Sequence, residues 1–127
     1  MKRLWIAAGI LAALCLATAL NVAHITRLTR QVTDGLSQAQ EQVLAGSWDR
    51  AAELTARADR TFQDHTFYLH ITLRHSDIDA VEVAFREVEQ LLAHRERQGE
   101  YAAANARLIE QVELLAESEA FTLKNIL

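Results

Sequence analysis

The chain has 127 residues, 13 Lys and Arg against 17 Asp and Glu, and a net charge of −4. That length leaves room for one small domain, and the acidic balance argues against a nucleic-acid binder, whose phosphate contacts demand a basic surface. A single cysteine excludes an intrachain disulfide. The absence of proline, with only four glycines, leaves helix packing as the source of stability and points to an all-α fold.

Residues 4–20, LWIAAGILAALCLATAL, contain no charge and only Thr18 as a polar side chain. As a helix, residues 4–23 span about 30 Å, the hydrocarbon thickness of a bilayer. Trp5 falls at the interfacial level, and Lys2 and Arg3 precede the run with no acid before Asp34. Positive flanks stay on the cytoplasmic side, so the expected topology is N-terminus inside and C-terminal domain outside. Arg27 and Arg30 at the far end temper that bias. A cleavable signal peptide uses the same residues, with Ala17-Thr18-Ala19 as its small-x-small site. Residues 1–23 are thus a transmembrane anchor or a signal peptide, and residues 24–127 a helical bundle. The helical spacing of Val22, Ile25, Val32, Leu36, Ala39 and Val43 runs well past Ala19 and favours the uncleaved anchor.

The apolar helix is expected to continue into water as far as Ala45, with Arg27, Arg30, Gln38 and Glu41 on its polar face. Gly35 within Thr33-Asp34-Gly35 marks either a hinge or a tolerated glycine. Gly46 suits a helix-ending position and Ser47 the cap of the next helix. That second helix, residues 48–62, turns Trp48, Ala51, Thr55, Ala58 and Phe62 to one face. In a third, residues 66–97, Phe67, Ile71, Ile78, Val81, Phe85, Val88 and Leu92 form one seam, with Arg74 in the vacant place. Ser76-Asp77-Ile78-Asp79 would allow a restart, but the unbroken apolar phase favours one continuous helix. After a turn at Gln98-Gly99, residues 100–117 place Tyr101, Leu108, Val112 and Leu115 inward. The architecture expected is a transmembrane helix continuing into a small antiparallel bundle of two αα-hairpins. The closing residues Phe121, Leu123, Ile126 and Leu127 are too apolar for a loose tail; they should dock, and they form a candidate partner-contact surface.

Gly46-Ser47-Trp48-Asp49-Arg50-Ala51 and Gly99-Glu100-Tyr101-Ala102-Ala103-Ala104 share the pattern Gly, any, aromatic, any, any, Ala. GSWDRAAELTARA resembles the second half of a tetratricopeptide repeat. Two copies fifty-three residues apart do not make a 34-residue array, and the pattern reads as αα-hairpin packing.

The candidate polar cluster is His70, Arg74, His75, Asp77 and Asp79. His65, His70 and His75 lie five apart, about 140° around a helix at each step, whereas ligands sharing a face lie three or four apart. No metal, cofactor or catalytic residue is therefore assigned. Phosphate-loop, metalloprotease, nucleophile-elbow and CxxC signatures are missing, so no enzyme is expected. Arg74 on an apolar seam would need a carboxylate, from Asp77, Asp34 or Glu110. His70, Arg74 and Asp77 share a helix face and would form a polar network, and a His75–Asp79 pair would make folding or binding pH-sensitive.

MKRLWIA at the start, Arg74-His75-Ser76-Asp77-Ile78-Asp79, and the closing Leu123-Lys124-Asn125-Ile126-Leu127 carry a resemblance to an uncharacterised bacterial family, domain-of-unknown-function family 4363. The resemblance covers nearly the whole chain. It implies one N-terminal membrane helix, a helical C-terminal domain and a membrane-associated partner, and it supplies no activity. The functional expectation is a membrane-anchored, non-enzymatic helical interaction module, touching the lipid bilayer through residues 4–23 and accessory to a membrane protein. The alternative is a small helical binding protein secreted after signal-peptide cleavage.

Overall fold

The computed structural model describes residues 1–126; the side chains of Thr72, Thr122, Leu123 and Ile126 lie outside that description. Five helices follow in order, α1 (Lys2–Leu44), α2 (Trp48–Asp64), α3 (Thr66–Thr72), α4 (His75–Leu92) and α5 (Gln98–Ile126), with one 3-10 turn at Arg95–Arg97. No strand occurs among the described residues. Around the bundle α1 packs on α2 and α5, and α4 packs on both of those. Two hairpins, α1–α2 and α4–α5, therefore close an antiparallel four-helix arrangement. The all-α fold and the two-hairpin architecture agree with the sequence reading.

α1 is the axis of the molecule. Ile25, Val32, Leu36, Ala39 and Val43 are buried along one side, at the alternating steps of a helix-packing seam. No residue before Ile25 is buried, and Leu4, Trp5, Ile10, Leu11 and Leu20 are exposed. One helix thus has two regimes: an apolar stretch with no buried residue, then a bundle helix. The helix runs unbroken through residues 33–35, so there is no hinge. A Cβ built at Gly35 would meet the Ala58 Cβ of α2 at 3.4 Å, an ordinary contact between α1 and α2. Gly35→Ala is accordingly expected to stabilise the fold by about 0.5–1 kcal/mol, the helix-propensity difference, read as a raised urea midpoint.

At the first turn Gly46 takes φ +83°. Its N–H donates to the Val43 carbonyl at 3.0 Å and that of Ser47 to the Gln42 carbonyl at 2.8 Å. These paired bonds form a Schellman closure. The Ser47 hydroxyl makes no capping bond, so the turn is held by backbone alone. The second reversal lies at residues 93–97 and not at Gln98-Gly99, because α5 already begins at Gln98. The duplicated aromatics nevertheless converge: Trp48 and Tyr101 stand with ring centroids 6.1 Å apart at the end remote from the apolar rod.

The expected single helix over residues 66–97 is broken. Leu73 is extended (φ −121°, ψ 167°), and Arg74 precedes α4 at ψ 136°. A continuous helix would drive the Arg74 guanidinium into the stripe that buries Ile78 and Phe85, at a cost of several kcal/mol. The break leaves Arg74 exposed and starts α4 with Asp77 in its first turn, where the helix dipole favours an acid. The break also re-aims α3. Leu69 becomes its core contact at 1% exposure, whereas Phe67 and Ile71, expected on the seam, are 81% and 69% exposed. The other seam residues, Ile78, Val81, Phe85, Val88 and Leu92, are buried as their spacing requires.

The last helix does not stop at residue 117 but runs to Ile126, so the closing segment is helical. Its antiparallel register against α1 is fixed by polar bonds. Buried Asn105 donates from Nδ2 to the Leu36 carbonyl at 3.0 Å, and Asn21 donates to Glu119 Oε2 at 3.5 Å.

Candidate functional site

The polar cluster is assembled by the α3–α4 break. His70, late in α3, and His75, first in α4, are brought together with ring centroids 4.6 Å apart and Nδ1 to Nδ1 at 2.5 Å. One ring donates and the other accepts across that contact, according to their tautomers. The break that makes this pair dissolves the network expected on a continuous helix. Arg74 and Asp79 are exposed, as is Asp77, and none of the three forms an ion pair among the described residues. His75 faces His70, and the expected His75–Asp79 pair is not found.

A second aromatic group lies at the same end, where α1 leaves the bundle. His24 meets Tyr68 edge-on at 5.0 Å and His65 at 5.7 Å, and His65 Nδ1 lies 2.8 Å from the Thr61 carbonyl. Burial, with the Glu119 carboxylate nearby, pushes the Tyr68 phenol up, and burial raises the Glu119 carboxyl. Four of the five histidines therefore gather at one end of the bundle. Sequence spacing missed His24 because it sits at the edge of the apolar run, where it reads as the last residue of the anchor. Among the described residues no three His, Cys, Asp or Glu side chains are grouped to hold a metal ion.

A third polar site joins α2 to α4. Asp59 is 9% exposed, and its carboxylate pairs with the Arg86 guanidinium at 3.0 Å, which also holds Glu89 at 2.8 Å. One cation serves two acids. Burial, then the hydrogen bond and charge of Asp59, push the Glu89 carboxyl above its usual range against the pull of Arg86. The folded protein thus holds this proton more tightly than the unfolded chain. Its contribution to stability is present in full below the unfolded carboxyl pKa and is lost as pH rises through the raised folded value. Glu89→Gln is expected to remove that part of the pH dependence. The stability gap between variant and wild type should be widest at neutrality and narrow on acidification, in urea melts across that range. Asp59 lies one helical turn beyond Thr55 on the buried face of α2, so its place in the core was readable from spacing.

On the outer face of the second hairpin, a groove of about 620 Å³ runs between the start of α4 and the far half of α5, with Asp77, Ala80, Gln111, Leu114 and Phe121 among its lining. Leu114 and Phe121 are exposed, and the Gln111 Oε1 is buried with no hydrogen-bond partner among the described residues. Of the tail proposed from sequence as a partner surface, Phe121 is therefore open to solvent, while the side chains of Leu123 and Ile126, and all of Leu127, lie outside the described residues. Burial raises the phenol of Tyr101 to about 12, with the Thr55 hydroxyl pulling the other way; both side chains are fully buried and structural.

α1 is long and apolar enough to cross a membrane by length and composition, a test that an N-terminal signal sequence also passes. A family model described as "Domain of unknown function (DUF4363)" matches residues 19–126, the bundle together with the last residues of the apolar run. No curated protein and no solved structure matches the chain.

Proposed function

The chain belongs to the family DUF4363, a domain of unknown function, and from that premise we propose that it is a membrane-tethered helical module that works through protein contacts and not through catalysis. The observation that carries this reading is the continuity of α1: one 43-residue helix holds an unburied apolar rod and the axis of the bundle. As a span, residues 4–23 cross the bilayer and set the bundle directly on its surface. Lys2 and Arg3 hold the N-terminus on the cytoplasmic side, with the bundle outside. The partner is a protein of the same membrane, received by the groove of Leu114 and Phe121. Sequence and geometry both support a contact role. The converging polar groups are a surface histidine pair and the Asp59 and Glu89 carboxylates shared by Arg86, which tie helices together.

Photo-crosslinkers placed at Leu114 and Phe121 in intact membranes test the contact role. The expected result is one specific membrane protein captured from both positions and absent when the crosslinker sits at exposed Val83. Equal capture from all three would refute the groove as the contact. A second reading, a secreted helical binding protein, is favoured by one observation. Every buried residue of α1 lies at Ile25 or beyond, so cleavage after Ala19 would remove nothing from the core. Intact mass of the protein from its native host separates the two, since the anchor requires the N-terminal residues to remain.

A further inference from the structure

We infer that α3 is a membrane-surface element, lying in the headgroup layer with Phe67 and Ile71 turned into the lipid. This inference rests on the reading of α1 as a span and adds a second, separate point of lipid contact. Its starting point is the break at Leu73–Arg74, which leaves Phe67 and Ile71 exposed, one helical turn apart on the same side of α3. Large apolar side chains projecting together from a short helix are not explained by the core, because buried Leu69 and partly buried Tyr68 are the residues that join α3 to it among those described.

The occupant of that face follows from where α3 stands. Tyr68 packs edge-on against His24 with ring centroids 5.0 Å apart, so α3 lies beside residue 24 of α1. The span ends at residue 23, and the first charge beyond it is Arg27. One residue of helix advances about 1.5 Å, so residue 24 stands at the inner edge of a headgroup region about 5–8 Å deep on each side of the hydrocarbon. α3 is thereby set within the headgroup layer of the leaflet from which α1 emerges. Its sequence TFYLHIT has no ionised Asp, Glu, Lys or Arg, and Tyr68 and His70 are amphipathic side chains that tolerate that layer. Exposed Arg27 and Arg30 on α1 and Arg74 after α3 stand at this end as partners for lipid phosphates. Asp64, Asp77 and Asp79 are also exposed nearby, so the apolar face, and not net charge, provides the attraction. An interfacial helix seats its apolar side about 5–10 Å into the boundary, a depth this placement permits.

The test uses the full chain with Cys15→Ser, reconstituted in phosphatidylcholine–phosphatidylglycerol vesicles, with a nitroxide on a single cysteine at 10, 67, 71 or 83. Positions 67, 71 and 83 are exposed, so the labels leave the core intact; an unchanged circular dichroism melt confirms it. Oxygen partitions into lipid and a nickel chelate into water. The oxygen-to-nickel accessibility ratio at 67 and 71 is expected to exceed that at 83 several-fold and to lie below that at 10. If 67 and 71 match 83 while 10 remains in lipid, the surface role of α3 is overturned and the span stands. A water-exposed label at 10 refutes the span and with it this inference. Spin–spin broadening at 67 and 71 would show a second copy covering the face in place of lipid, which also overturns it.

Discussion

Phe85→Ala is expected to lower the thermal midpoint of the bundle by about 15–30 °C. Phe85 is wholly buried and meets Phe62 with ring centroids 5.9 Å apart and planes tilted 37°, so the central layer joins α2 to α4 through this pair. Truncating a buried phenylalanine costs about 3–5 kcal/mol, and the lost aromatic pair adds to that. For a domain of roughly 100 residues each kcal/mol moves the midpoint about 4–8 °C. The total stability of such a domain is about 5–15 kcal/mol, and the lone cysteine lies in the apolar rod, so no disulfide holds the unfolded chain compact. Circular dichroism of the full chain in detergent measures the shift. A fall of less than about 5 °C, about 1 kcal/mol by the same scaling, would mean that α4 is not packed on α2 as described.

Leu11→Arg combined with Leu14→Arg is expected to move the protein from the carbonate-resistant membrane fraction to the soluble one, with the bundle still folded. Each arginine near the centre of a span costs about 2.5–3.5 kcal/mol on the insertion scale, so the pair removes most of the preference of a rod this rich in alanine. Both side chains are exposed, at 64% and 60%, and touch no part of the core. Fractionation and a melting curve on the same preparation check the two halves of the claim. Carbonate resistance retained by the double variant would exclude residues 4–23 as the anchor.

Much of the fold was legible because helix packing writes its period into the sequence. Val32, Leu36, Ala39 and Val43 on α1, and Tyr101, Leu108, Val112 and Leu115 on α5, were assigned inward from spacing and are buried. The break after Thr72 was not, because apolar phase is blind to what one charged residue costs. Phe67 and Ile71 fit the seam with Ile78 and Phe85, yet Arg74 between them cannot enter the core, and the chain extends to release it. That local choice undid the predicted His70–Arg74–Asp77 network and made the His70–His75 contact, which a five-residue separation on one helix would forbid. The Asp59–Arg86–Glu89 group was missed for another reason: it joins residues from two helices, and pairing between helices leaves no period to read.

The unbroken backbone through residues 33–35 has a mechanical consequence. Forty-three residues of helix make a rod about 65 Å long, with no joint to decouple its lower part from its upper. From the end of the run at residue 20 to the Gly46 turn is about 39 Å at the same rise. Swinging the lower part through about 20°, an ordinary helix tilt, would sweep that turn sideways by about 13 Å. The molecule is a stiff lever, able to report the inclination of its foot as the position of its head.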